Sequence, residues 1–93
     1  MIKTFRDKET ERIFFRQFSR RFPVNLHQLI GRKLLILDAA EKLEDLRIPP
    51  GNHLEKLSGI REDQYSIRIN SRLRICFRWN EGHAYEVEII DYH

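Results

Sequence analysis

The chain has 93 residues with a formal net charge of +3, and 41% of them are hydrophobic, which suits a single domain over residues 1–93 and excludes a disordered chain. No apolar run reaches the roughly 20 residues of a membrane-spanning helix, and the opening Met1-Ile2-Lys3-Thr4-Phe5-Arg6-Asp7 has neither the apolar stretch nor the cleavage site of a signal peptide. The lone Cys76 excludes an internal disulfide, so a cytoplasmic protein with no membrane role is expected.

Ile2 to Phe5 alternates apolar and polar residues, the pattern of a short first strand. Asp7 can cap the helix that follows, with Glu9 and Glu11 near its positive end. Ile13, Phe14, Phe15 and Phe18 give that helix a broad apolar stripe, Arg20 and Arg21 suit its C-terminus, and Pro23 breaks it. Asn25 is expected to cap a second helix, in which Leu26, Leu29, Ile30, Leu34 and Leu37 recur at helical spacing. Gly31 weakens it by about 1 kcal/mol relative to alanine. Together they predict a helical hairpin facing a common core. Ala39 to Leu46 reads as a short helical turn, Pro49-Pro50-Gly51-Asn52 as a rigid loop, and His53 to Leu57 as a second strand closed by Ser58-Gly59.

From Tyr65 the period becomes two. Tyr65, Ile67 and Ile69 alternate with Ser66, Arg68 and Asn70; after a tight Asn70-Ser71 connection, Leu73, Ile75, Phe77 and Trp79 alternate with Arg72, Arg74, Cys76 and Arg78. Asn80-Glu81-Gly82 is a hairpin turn, and Tyr85, Val87 and Ile89 then alternate with Glu86 and Glu88. The expected class is α+β: a short N-terminal strand, a helical hairpin, then an antiparallel strand meander packed against the helices. One sheet face should be apolar and covered; the other, rich in arginine, is where a ligand can sit.

No Gly-rich phosphate loop, zinc pattern or nucleophile elbow is present. A net charge of +3 does not by itself indicate nucleic acid. Every Lys or Arg after Lys56 is an arginine, however, at Arg61, Arg68, Arg72, Arg74 and Arg78, and arginine's planar fork suits bidentate phosphate contacts. Arginines, histidines and carboxylates can bind a phosphodiester and move protons with no metal or cofactor. Cutting RNA this way needs a base near the ribose 2′-OH, an acid near the leaving 5′-oxygen and cations for the phosphorane. Histidine can take either proton-transfer role. Taken alone, the closing Asp91-Tyr92-His93 reads as a solvated tail. Pairing of Arg74 and Arg78 with Glu86 and Glu88 explains those arginines as well as phosphate does.

Five segments resemble the HigB branch of the RelE-like toxins: Met1-Ile2-Lys3-Thr4-Phe5, Leu46-Arg47-Ile48-Pro49-Pro50-Gly51-Asn52, Gln64-Tyr65-Ser66-Ile67-Arg68-Ile69-Asn70, Leu73-Arg74-Ile75-Cys76-Phe77-Arg78-Trp79 and the ending Val87-Glu88-Ile89-Ile90-Asp91-Tyr92-His93. The resemblance implies a compact RelE-like fold and ribosome-dependent cleavage of messenger RNA. It also implies a HigA-like helix-turn-helix antitoxin, through which alone the chain would meet operator DNA. It makes His93 the first choice for proton transfer, Asp91 its support, Tyr92 a base-positioning residue and Arg74 the phosphate stabiliser. Arg61, Arg68, Arg72 and Lys56 supply further positive charge. Some family members carry a catalytic histidine just before the Leu-x-Gly step that Leu57-Ser58-Gly59 matches. Here that position is Glu55, with His53 two residues earlier, so either is a candidate for the second proton-transfer group. Two other roles compete: a non-catalytic RNA-binding module, and a corepressor partner of a helix-turn-helix antitoxin.

Overall fold

A computed structural model describes residues 1–59 and 63–91. Helix α1 spans Lys8–Phe14 and is capped by Asp7, whose Oδ2 accepts from the Thr10 amide at 3.3 Å. It is shorter than the apolar stripe predicts. Arg16 adopts φ 62°, while the Gln17 amide donates to Arg12 O and the Arg16 amide to Ile13 O. This is a Schellman ending with arginine in the left-handed position that usually takes glycine. It turns Phe15 and Phe18 out of the helix register, and both are exposed.

Helix α2 spans His27–Ala39, preceded by a 3-10 turn at Val24–Leu26. Asn25 lies within that turn, and no side chain caps α2. The expected cap is therefore absent, because the 3-10 turn leads directly into the helix. Ile30, Leu34 and Leu37 are fully buried along one side of α2, against Ile13 of α1 and the sheet.

The sheet comprises β1 (Glu55–Lys56), β2 (Gln64–Arg68), β3 (Leu73–Asn80) and β4 (His83–Asp91), all antiparallel in the order β1-β2-β3-β4. The expected N-terminal strand appears as two parallel bridges, Ile2 to Ala84 and Phe5 to Val87, along the outer edge of β4. Between β3 and β4 the turn uses two residues, Glu81 at φ 50° and Gly82 at φ 80°. Positive φ at both positions matches the twist of the hairpin. A Cβ at Gly82 would also lie 3.2 Å from Glu41 O, so a tight approach adds to the positive φ in favouring glycine there.

The register shifts by one between Cys76 and Arg78, where Glu86 of β4 takes φ 51°. This bulge corrects the simple alternation expected for β4. Ala84, Val87 and Ile89 face the core, whereas Tyr85 is paired with Arg78 and joins the arginine side. The helices cover the face formed by Ile67, Ile75, Phe77, Val87 and Ile89. Each such large side chain contributes about 1.5–3 kcal/mol by leaving water.

Candidate active site

On the sheet face away from the helices, Arg68 and Arg74 are register partners, as are Ser66 and Cys76, and Glu55 pairs with Ser66. This face is less open than alternation alone suggests, since Ser66 and Cys76 are fully buried. Arg74 lies across Ser66. Its Nε donates to Ser66 Oγ at 2.9 Å, and its Nη2 donates to His53 O at 2.5 Å and to Ser66 O at 3.4 Å. Nη2 also stands 3.3 Å from Glu55 Oε1, and the Arg74 side chain is only 16% exposed. One guanidinium thus ties together β1, β2, β3 and the loop carrying His53. Among the described residues, none bonds to its Nη1.

The loop before β1 is braced from below by Asn52, a fully buried polar residue. Its Nδ2 donates to Leu46 O at 3.1 Å and Ile48 O at 3.2 Å, and its Oδ1 accepts from Lys33 Nζ at 2.6 Å. Burial holds the Lys33 ammonium below its ordinary pKa, and neighbouring Arg32 adds to that. His53 follows in the left-handed region, at φ 44° and ψ 59°, with its side chain exposed. It therefore precedes β1 instead of belonging to it. A strand running from His53 would put it on one face with Glu55; here the two are linked instead through Arg74 Nη2, which meets both His53 O and Glu55 Oε1.

A second cluster forms where β4 ends. Arg72 Nη2 lies 3.2 Å from Asp91 Oδ2, and its Nε lies 3.4 Å from Asp91 Oδ1, a two-pronged pairing. Asp91 pairs in register with Leu73, a core-face residue. It borders a pocket of about 210 Å³ with Arg21, Phe22, Asn70 and Arg72. Asp91 thus lies on the helix side of the sheet, opposite to Arg74. Arg68 turns its Nε to Asn70 O at 3.0 Å. Lys56 pairs with Tyr65 on the core-side parity and is exposed, so it does not join Arg74. Arg78 pairs with both Asp63 and Glu86, while Arg74 takes Glu55 in place of a β4 carboxylate. Arg61, Tyr92 and His93 lie outside the described residues.

The family described as RelE-like toxin of type II toxin-antitoxin system HigB matches residues 3–93. The chain belongs to the HigB family. It is 41% identical over 85 residues to Toxin HigB-1 of Vibrio cholerae serotype O1, covering 90% of each chain. It is 30% identical over 93 residues, all of both chains, to a Proteus vulgaris protein named Endoribonuclease HigB. A Haemophilus influenzae protein of uncharacterized role is 39% identical over 62 residues. The α+β architecture, with two helices on one face of a four-stranded antiparallel sheet, is consistent with a RelE-like fold. Membership in a type II system implies a cognate antitoxin.

In this HigB-family toxin, three residues on or beside the arginine face carry no chemical signal in the sequence pattern. Ser66 looks like a filler between Tyr65 and Ile67, yet its position across from the arginine strand is the signal that it could orient a guanidinium. Asn52 looks like part of a turn, but it is buried. Tyr85 shares sequence parity with Val87 and Ile89, and the bulge that moves it to the arginine side leaves no mark in the hydrophobic pattern.

Proposed function

We propose that the chain is a ribosome-dependent endoribonuclease that cuts translated messenger RNA in the cytoplasm and is neutralised by a HigA-like helix-turn-helix antitoxin, through which it reaches operator DNA. The observation that carries this reading is Arg74: a largely buried guanidinium on the sheet face the helices leave free, with Nη1 uncommitted among the described residues and Glu55 and the His53 loop beside it. The name of the Proteus relative supports the same chemistry.

In the proposed reaction the ribose 2′-oxygen attacks the adjacent phosphorus and gives its proton to a base. The bond to the 5′-oxygen breaks as that oxygen receives a proton. The products are a 2′,3′-cyclic phosphate and a 5′-hydroxyl, and neither metal nor cofactor takes part. His93 is the first choice for proton transfer, supported by Asp91. Glu55 or His53 supplies the second group, and Tyr92 positions a base. Arg74 stabilises the phosphorane charge, and Arg61, Arg68, Arg72 and Lys56 add to the positive field that holds the RNA. The ribosome would help hold the RNA in line for attack.

Primer extension on a defined messenger RNA, with and without translating ribosomes, tests this. Intact chain should give cuts only with ribosomes. Arg74→Ala should lower the cutting rate by about 10²–10³, and removal of His93 should abolish it. An intact, folded chain that cuts under neither condition would falsify the nuclease reading.

A further inference from the structure

A second feature shares no lining residue with the Arg74 neighbourhood. It is a groove of about 670 Å³ between α1 and α2, lined among others by Phe14, Phe18, Leu35, Arg16 and Arg32. The early end of α1 creates it, because the left-handed Arg16 turns the chain outward and leaves Phe18 beside the helix pair rather than in the core. Phe15 is 58% exposed, Phe18 60% and Leu35 49%. Phe18 and Leu35 both line the groove, Phe15 packs edge-on against Phe14 at its margin, and Phe18 stands against the His27 ring at 5.6 Å. Gly31 forms part of the floor, and the space above it is bounded by Ile13.

The groove's charge is of one sign. Arg16 and Arg32 line it, no carboxylate does, and among the described residues no carboxylate pairs with either arginine. An apolar floor rimmed by unneutralised arginines is complementary to an amphipathic segment with apolar anchors and acidic flanks. RNA fits less well, since Leu35, Ile13 and Phe14 form a concave aliphatic and aromatic channel, not a flat stacking platform.

We propose that this α1–α2 groove is the docking site of the cognate antitoxin, and that it takes an acidic, amphipathic segment of that protein. The antitoxin follows from family membership alone; the cleavage arm of the test below also rests on the proposed nuclease activity. Because the sheet lies between the groove and Arg74, an antitoxin seated here leaves the Arg74 neighbourhood uncovered by that contact.

Titration calorimetry between the purified full-length chain and its full-length cognate antitoxin tests the proposal. Phe18→Ser and Arg32→Glu should each weaken binding by about tenfold or more. Arg32→Glu should also flatten the salt dependence of the affinity. Arg74→Ala should bind as the wild type does. Phe18 and Arg32 are exposed, so both variants should fold, which far-UV circular dichroism checks; if Phe18→Ser does not fold, Arg32→Glu decides. Wild-type affinity in the folded groove variants overturns the proposal. So does a loss of ribosome-dependent cutting by those variants without antitoxin, which would assign the groove to RNA or the ribosome. Self-association of the chain that Phe18→Ser abolishes would overturn it too, by making a second copy the occupant. Wild-type chain that binds antitoxin through the groove but cuts no RNA would sink the nuclease reading and leave this one standing.

Discussion

Arg72 and Asp91 hold each other through two contacts at 3.2 and 3.4 Å, yet both side chains are largely in water, at 60% and 46% exposure. An exposed pair of this kind contributes at most about 1 kcal/mol to stability. Its significance is positional, because Asp91 is the last residue before Tyr92 and His93 in the chain. Arg72 therefore has two possible uses in the proposed reaction: it can hold phosphate directly, or act as a positioning residue through Asp91. Steady-state cleavage separates them. With the pair in a positioning role, Arg72→Ala should lower kcat by about tenfold with KM nearly unchanged, and Arg72→Lys should recover part of the loss. A rise in KM at constant kcat would identify Arg72 as a phosphate contact instead. Arg74 differs in kind. Its guanidinium is mostly buried and already ties three strands and a loop together, so its replacement touches local structure as well as charge.

The helices show how a local backbone choice decides what a surface offers. Had α1 continued to Arg21, as its apolar and basic residues suggest, Phe18 would extend the buried stripe. The Schellman ending at Arg16 exposes it instead and opens the groove beside α2. Gly31, within α2, carries the opposite lesson. A Cβ there would meet Ile13 O at 3.9 Å and Ile13 Cγ2 at 4.0 Å, both ordinary contacts. Gly31→Ala should therefore stabilise the fold by about 0.5–1 kcal/mol through helix propensity. Thermal unfolding followed by circular dichroism should show a midpoint several degrees higher. A lower midpoint would mean that α1 and α2 approach more closely than these distances state. At the other end of the fold, the bulge at Glu86 plays the same part for β4, handing Tyr85 to the arginine side and Ala84 to the core.

Taken whole, the molecule is a sheet with two unlike sides. One is sealed by α1 and α2 over Ile30, Leu34, Leu37, Ile67, Ile75 and Phe77, and the other carries Arg68, Arg74 and Arg78. A chain of 93 residues has a total stability of only about 5–15 kcal/mol, so a single core cavity matters. Leu34 is fully buried between helix and sheet. Leu34→Ala should cost about 2–5 kcal/mol and lower the thermal midpoint by on the order of 10–30 °C. Denaturant unfolding should show that loss at an unchanged m-value. A cost under about 1 kcal/mol would mean that the core at Leu34 collapses to fill the space.

Periodicity was enough to locate the helical pair, the strand meander and the identity of the covered face, because burial of alternate or every third and fourth apolar residue is a one-dimensional property of the chain. The Glu81-Gly82 turn was legible for the same reason, since positive φ at two adjacent positions is a local demand. The phosphate-binding candidate Arg74 was legible through family resemblance, and its place beside Glu55 follows from strand register, whereas His53 meets it through a loop carbonyl. What only the tertiary structure decided is how those pieces meet. Asn52 is buried as a brace, Tyr85 changes face at a bulge, and Phe18 leaves the core. Each depends on a bulge, a left-handed residue or a long-range hydrogen bond. Those are set by the packing of distant segments, which hydrophobic spacing along the chain does not encode.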